Sequence, residues 1–167
     1  MGYGIIHKKN KELKMINMGV VKLTSIQDHY EKLSKIYERT ISLIDEYYID
    51  ELSIEAPFYG KNVQSMLKLG RAQGVVMAAA ISKSVPVFEY SPRKIKQSIT
   101  GKGSASKEQV LGMLQSILKI HEAPEYLDAS DGLAVAMCHY LQGNKQNKEG
   151  HYSGWKQFIK NNPERLK

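Results

Sequence analysis

Short segments in which apolar and polar residues alternate occur in the first half of the chain and near its middle. Alternation directs every second side chain to one face, so residues 3–7, 15–23, 51–55 and 85–90 are predicted to be β-strands. The polar stretch at residues 8–14 is predicted to be the turn of a hairpin between the first two strands.

Longer segments carry apolar residues at three- and four-residue steps, which is the spacing of a helix with one buried face. Thr24 and Ser25 are predicted to cap the first helix. Its inward stripe is predicted to be Ile26, Tyr30, Leu33, Tyr37, Ile41 and Ile44. A second helix is predicted at residues 63–82 behind the cap Asn62, and its small residues, Gly70 and Gly74 among them, predict close packing on a sheet.

The remaining helices are marked by signals at their ends. Pro92 suits the first turn of a helix that reaches residue 100. Ser106 and Gln109 have the spacing of a capping box, which predicts a helix to residue 120, and the last helix is predicted at residues 128–141. Strands followed by alternating strands and helices indicate an α/β fold, with a mixed sheet flanked by helices.

The chain has the length of one ordinary domain, at 167 residues. We expect this domain to cover residues 1–141 and residues 142–167 to form a polar tail, with Trp155 and Phe158 as anchors. The longest apolar run, residues 75–81, is far shorter than the ~20 residues that span a bilayer. One cysteine, Cys138, precludes an internal disulfide and is expected to be a small buried residue. These features predict a cytoplasmic protein without a membrane partner.

The chain is basic, with 24 Lys and Arg against 17 Asp and Glu, and its middle carries most of the imbalance. Between Glu55 and Glu108 the only acid is Glu89. The basic residues of that stretch are Lys61, Lys68, Arg71, Lys83, Arg93, Lys94, Lys96, Lys102 and Lys107. Such an excess suits a polyanion, because cations at phosphates release condensed counterions; a merely soluble basic protein is the alternative.

Three carboxylates are candidates for metal chemistry. Glu55 ends a predicted strand, and ligands of α/β sheets gather beyond the carboxyl ends of strands. Asp128 and Asp131 are three residues apart at the start of a helix, so they share a face, although Asp128 alone could be a helix cap. An all-oxygen set suits Mg²⁺ or Mn²⁺ rather than zinc.

Basic and aromatic residues in the neighbouring loops are candidates for binding nucleic acid. Lys102 and Lys107 flank the glycine-rich segment at residues 101–105, and Lys94 and Lys96 lie in the short helix before it. Glycines allow a phosphate to approach the backbone closely. Phe58 and Tyr59, followed by Lys61, form an aromatic loop after Glu55 that could stack on bases or pack into the core.

Four segments resemble, in order, successive segments of the bacterial RuvC family of Holliday-junction resolvases. They are GYGII, IEAPFYGKNVQSMLKLGRAQGVVMAAA, VFEYSPRKIKQSITGKGSASKEQVLGML and YLDASDGLAVAMCHYL, and together they run from Gly2 to about Leu141. The resemblance implies an RNase H-like fold, a homodimer, and cutting of opposed strands of a four-way DNA junction by two-metal hydrolysis with Mg²⁺, which Mn²⁺ could replace. It also implies partnership with the RuvA and RuvB branch-migration proteins.

Carried over by position, the resemblance implies roles for individual residues. Glu55, Asp128 and Asp131 look like the family's second, third and fourth catalytic acids and metal ligands. Lys96 and Lys107 look like basic residues that act near the scissile phosphate. The aromatic Phe58 looks like the side chain that intrudes at the opened centre of the junction.

The chain departs from the family pattern at its start. In the family that this chain resembles, the first strand ends in a turn that carries an aspartate. This aspartate is the family's first metal ligand. The present chain opens at Met1 inside the segment after that turn, so the central strand of the fold and its aspartate are expected to be missing. Two explanations are open: a start codon upstream, which we favour, or a fragment that is inactive for lack of the first aspartate. Two other functions remain open: a non-catalytic protein that binds DNA junctions, and an RNase H-fold nuclease acting on RNA or simple duplexes.

Overall fold

The structure is a computed structural model and describes residues 1–10, 12–57, 62–120 and 127–146. Predictions for residues outside these ranges stay predictions; they concern Phe58, Tyr59, Lys61, Trp155 and Phe158. Within the described residues, no helix is both long and apolar enough to cross a membrane.

An antiparallel hairpin opens the chain. Strands β1 (Gly2–Lys9) and β2 (Glu12–Val20) are joined at Asn10, whose left-handed backbone (φ 58°) asparagine tolerates better than most residues. The strands therefore run through most of residues 8–14, which the sequence assigned to the turn. The described polar residues of this stretch are exposed, as an uncovered hairpin allows.

The first helix, α1 (His29–Tyr47), begins later than predicted. Asp28 caps it by accepting a hydrogen bond from the Glu31 N–H at 2.8 Å, so the predicted caps Thr24 and Ser25 are wrong. Its inward face is also different. The buried residues of α1 are Ile36, Thr40, Leu43 and Ile44. Of the predicted inward residues, Ile44 is buried as predicted, whereas Tyr30 and Tyr37 are 78% and 41% exposed.

A parallel strand pair forms a second, separate sheet. Strand β3 (Leu52–Glu55) pairs with β4 (Val87–Tyr90), with Glu55 opposite Tyr90. The predicted mixture of strand directions is confirmed. However, the strands form two two-stranded sheets rather than one continuous sheet, since β1 and β3 are not hydrogen-bonded to each other.

The connecting helix α2 (Val63–Ser82) has the predicted bounds, and Asn62 caps it by accepting from the Ser65 N–H at 3.1 Å. Its buried residues, Val76, Ala79 and Ala80, lie in its C-terminal half. Gly70 and Gly74 face open space, so the prediction that they allow close packing on a sheet is wrong.

Three helices complete the fold: α3 (Pro92–Thr100), α4 (Lys107–Leu118) and α5 (Leu127–Gln146). The capping box of α4 is confirmed, and α5 continues beyond the predicted domain end at residue 141. Helix α5 contacts both sheets, α3 and α4, and Leu133, Met137 and Cys138 on it are fully buried. Cys138 is thus the buried residue that the sequence predicted.

Helix α5 lies directly on β1 because glycines allow the two backbones to meet. A Cβ added at Gly132 would lie 2.6 Å from the Tyr3 Cα, and one added at Gly4 would lie 2.5 Å from the Leu133 Cα. Real side chains do not fit at such distances, so glycine is required at both positions. This contact fixes the N-terminal turns of α5, which carry Asp128 and Asp131.

Candidate active site

Glu55 is held at the carboxyl end of β3 by contacts of its own backbone. The Ala56 N–H donates to the Tyr90 carbonyl at 2.8 Å, which continues the pairing with β4. From α2, the Gln73 side-chain amide donates to the Glu55 carbonyl at 2.6 Å. With its backbone fixed from two sides, Glu55 presents its carboxylate beyond the end of the strand, as the sequence predicted.

Asp131 lies in the second turn of α5 and is bound by a lysine from α4. The capping box at Ser106 makes Lys107 the first residue of α4, and the Lys107 Nζ donates to Asp131 Oδ2 at 2.7 Å. Both side chains are about half exposed, at 60% and 46%, so this ion pair adds little to folding stability. Its value is in placing a cation beside a carboxylate.

Four of the five predicted catalytic residues line one cavity of about 110 Å³. They are Glu55, Lys96, Lys107 and Asp131, which come from β3, α3, α4 and α5. Its apolar wall is formed by Pro92, Ile95, Val110, Ala134 and Val135. The fifth residue, Asp128, is not part of this lining; it is the second residue of α5, where the helix dipole favours an acid.

The charges in the cavity influence one another. Loss of hydration raises the pKa of Glu55, and the nearby Asp131 carboxylate raises it further, against the opposing effects of Lys107 and Lys96. The hydrogen bond to Asp131 raises the pKa of Lys107, with smaller contributions from Asp128 and Glu55. Lys107 is therefore positively charged at neutral pH. Asp128 lies close enough to contribute to the raised pKa of Lys107.

The donor set suits a hard divalent cation, because Glu55 and Asp131 offer oxygen ligands to the same cavity. A cation between them would relieve the repulsion that raises the Glu55 pKa. In the described part of the chain, no three acidic, histidine or cysteine side chains converge closely enough to hold an ion. Glu55 and Asp131 thus form a pair with Asp128 at its margin, and a three-carboxylate site stays a prediction.

A larger basic groove of about 730 Å³ opens beside this cavity and shares Pro92 and Lys96 with it. Its lining includes Arg93, Gln97, Lys102 and the glycines of the loop after α3, and it contains no acidic residue. A Cβ at Gly103 would lie 2.6 Å from the Arg93 Cγ, so this glycine makes room for the arginine.

Sequence reasoning missed Arg93 and Gln97 as groove residues. Arg93 lies three residues before Lys96, and Gln97 lies four residues after Arg93. This spacing places the side chains on one face of a helix and was the available signal. Lys94, predicted to bind DNA, is exposed on α3 and lines neither cavity. Lys102, also predicted to bind DNA, does line the groove.

Several known proteins are similar in sequence to most or all of this chain. The family model described as crossover junction endodeoxyribonuclease RuvC matches residues 1–139. The crossover junction endodeoxyribonuclease RuvC of Cytophaga hutchinsonii is 59% identical over 100% of this chain and 82% of its own length. The protein of the same name from Bacteroides fragilis is 56% identical over 100% of this chain and 90% of its own length.

Solved structures agree with this relationship. Thermus thermophilus RuvC superimposes with a TM-score of 0.78 at 28% identity, covering 86% of this chain and 89% of that one. The T. thermophilus RuvC in complex with a Holliday junction substrate gives 0.80 at 29% identity, covering 86% and 88%. The fold is therefore the RNase H-like fold of these enzymes, and the chain belongs to the RuvC family of crossover junction endodeoxyribonucleases.

Proposed function

We propose that Glu55 and Asp131, with Asp128 beside them, hold the divalent ions with which this crossover junction endodeoxyribonuclease cuts four-way DNA junctions. The observation that carries the assignment is the shared cavity, in which two carboxylates and two lysines from four separate elements meet. The similarity to a RuvC enzyme solved with its Holliday junction supports the substrate.

Enzymes of this family depend on metal ions, and we assign two Mg²⁺ ions per site, with Mn²⁺ as a substitute. Bound ions would activate water and stabilise the leaving 3′ oxygen of the cut phosphodiester. The chain's own contribution is to bring Glu55 and Asp131 to one point and to keep Lys107 cationic there. Lys107 and Lys96 then offset the negative charge that gathers on the phosphate during cutting.

The basic groove is the assigned path of the DNA strand that leads into the cavity. Lys96 lines both spaces, so a strand in the groove would place its next phosphate beside Glu55 and Asp131. Arg93 and Lys102 supply charge along this path, and Gly101 and Gly103 allow the backbone to approach a phosphate. The roles of Lys94, and of Phe58, Tyr59 and Lys61 in stacking or binding, stay predictions.

Substrate preference tests this function against its alternatives. With Mg²⁺ present, we expect symmetric cutting of a four-way junction and little cutting of the linear duplex or of an RNA–DNA hybrid of the same sequence. Equal cutting of the duplex or hybrid would favour a general RNase H-fold nuclease. Tight junction binding without Mg²⁺-dependent cutting would favour a non-catalytic junction-binding protein.

A homodimer would present two such sites to the two opposed strands, and α2 offers a surface for it. One face of this helix is exposed along its length, with residues at steps of three, four and seven: Val63, Leu67, Gly70, Gly74 and Ile81.

Leu67→Glu on this face of α2 is expected to convert dimer to monomer in sedimentation velocity. Leu69→Glu is the matched control, since Leu69 is equally exposed but lies on another face. A monomeric wild type, or equal effects of both variants, would contradict the assignment.

Partnership with the RuvA and RuvB branch-migration proteins belongs to the same proposal and rests on family membership. Co-sedimentation with both proteins on a four-way junction tests it. Recovery of this chain only in complexes that lack them would count against it.

A further inference from the structure

A chain of hydrogen bonds connects the parallel strand pair to α5, away from the catalytic cavity. The Tyr90 hydroxyl lies 2.7 Å from Nδ1 of His139, and Nε2 of His139 lies 2.8 Å from Oε2 of Glu51. The His139 side chain is only 17% exposed, and its ring packs on Phe88 with centroids 4.4 Å apart. We name Glu51, His139 and Tyr90 the relay.

With Glu51 ionised and the His139 ring neutral, each bond of the relay has one direction. An ionised Glu51 carboxylate can only accept, so Nε2 of His139 donates to it. In the neutral ring, Nδ1 then accepts from the Tyr90 hydroxyl. Loss of hydration, with smaller effects of Cys138 and Glu51, raises the pKa of Tyr90 and keeps that hydroxyl protonated as a donor.

The relay connects the elements that carry the metal-binding carboxylates. Tyr90 is the residue opposite Glu55 in the β3–β4 pairing, and Glu51 directly precedes β3, which ends at Glu55. His139 lies on α5 about two turns after Asp131. Each end of the relay is thus rigidly joined to β3, and its centre is rigidly joined to Asp131.

We propose that the relay is a positioning device that sets the distance and angle between the Glu55 and Asp131 carboxylates. The inference rests on the proposed function, in which these two carboxylates hold the catalytic ions. Helix α5 is fixed on β1 by the glycine contact, but β1 and β3 are not hydrogen-bonded to each other. Apolar packing has no preferred direction, so packing alone would not prevent β3 from sliding along α5. Hydrogen bonds are directional, and two of them that share one ring oppose such sliding.

Cutting should be more sensitive to this alignment than folding is. Mg²⁺ requires a nearly ideal octahedron, and misplacing a reacting group by about 1 Å can cost about 100-fold in rate. Tyr90→Phe removes one hydroxyl and leaves the ring, so we expect the single-turnover cutting rate to fall about 10- to 100-fold. Junction binding measured without divalent ions should be unchanged, while Mn²⁺ binding measured by electron paramagnetic resonance should weaken.

Substitutions at Glu51 separate alignment from general stability. Glu51→Gln keeps an oxygen that accepts from His139 and should retain most of the cutting rate and Mn²⁺ affinity. Glu51→Ala removes the acceptor and should match Tyr90→Phe. Tyr30→Phe, at a tyrosine that is 78% exposed on α1, should change nothing. Leu43→Ala, in the buried face of α1, should lower the melting temperature but keep the rate per folded molecule.

Cutting by Tyr90→Phe at the wild-type rate would overturn the relay, and so would a Glu51→Gln variant as impaired as Glu51→Ala. The relay is also overturned if Leu43→Ala loses as much activity per folded molecule as Tyr90→Phe does. Glu55→Gln, assayed in parallel, distinguishes this failure from that of the proposed function. If Glu55→Gln is inactive while the relay variants are fully active, only the proposal of the relay fails. If Glu55→Gln is active, Glu55 is not a ligand of the catalytic ions, and the proposed function on which the relay depends fails.

Discussion

Replacing Glu55 by glutamine should lower the rate of junction cutting at least about 1000-fold, equivalent to about 4 kcal/mol of barrier, and leave junction binding intact. Glu55 is one of two carboxylates in the catalytic cavity, and an amide oxygen is a much weaker ligand for Mg²⁺. Single-turnover cutting of a labelled four-way junction gives the rate, and a gel-shift titration in EDTA gives the affinity. Asp131→Asn should behave in the same way.

Thermal stability distinguishes loss of chemistry from loss of folding in this variant. The pKa of Glu55 is raised in the folded protein, so the folded state holds this proton more tightly than the unfolded chain does. Ionised Glu55 therefore opposes folding, and stability declines as the pH rises from the ordinary glutamate range through the raised pKa. Above that window Glu55→Gln should be at least as stable as the wild type. Wild-type cutting by Glu55→Gln would remove Glu55 from the mechanism.

Replacing Lys107 by alanine should lower the cutting rate about 100-fold, the typical cost of losing one group that stabilises charge in a transition state. Its ammonium lies 2.7 Å from Asp131 Oδ2 at the cavity edge and is kept protonated there. Lys107→Arg keeps the charge and should recover part of the rate. The measurement is again single-turnover cutting at saturating Mg²⁺ and enzyme.

Lys83→Ala is the matched control for this prediction. Lys83 also binds an aspartate at 2.7 Å, Asp45, in a partly exposed pair, but at the far end of α2. Its loss should leave cutting unchanged. Equal losses for the two alanine variants would show that the effect of Lys107 comes from net charge rather than from its place beside Asp131.

Local signals in the sequence predicted much of the fold and the centre of the site. Asn62 and the Ser106 capping box fixed the starts of α2 and α4, because a cap depends on residues within one turn. Glu55 was recognised because a strand end is visible as the end of an alternating pattern. Asp131 became a candidate because it lies three residues after Asp128 at the start of a predicted helix.

The choice between neighbouring cap residues, and the contacts between distant residues, were missed or wrong. Several residues could cap α1, and only the structure shows that Asp28 does. The division into two sheets depends on which strands meet, which alternation does not encode. The bond between Glu51 and His139 joins residues 88 positions apart, and no local pattern indicates it.

Anomalous diffraction from crystals grown with Mn²⁺ would show whether Glu55 and Asp131 hold the catalytic ion, since it locates the ion without reference to activity. We expect a peak within coordination distance, about 2.2 Å, of oxygens from both Glu55 and Asp131. A peak bound by neither carboxylate, or a strong peak elsewhere with this cavity empty, would show that these two residues are not the metal ligands.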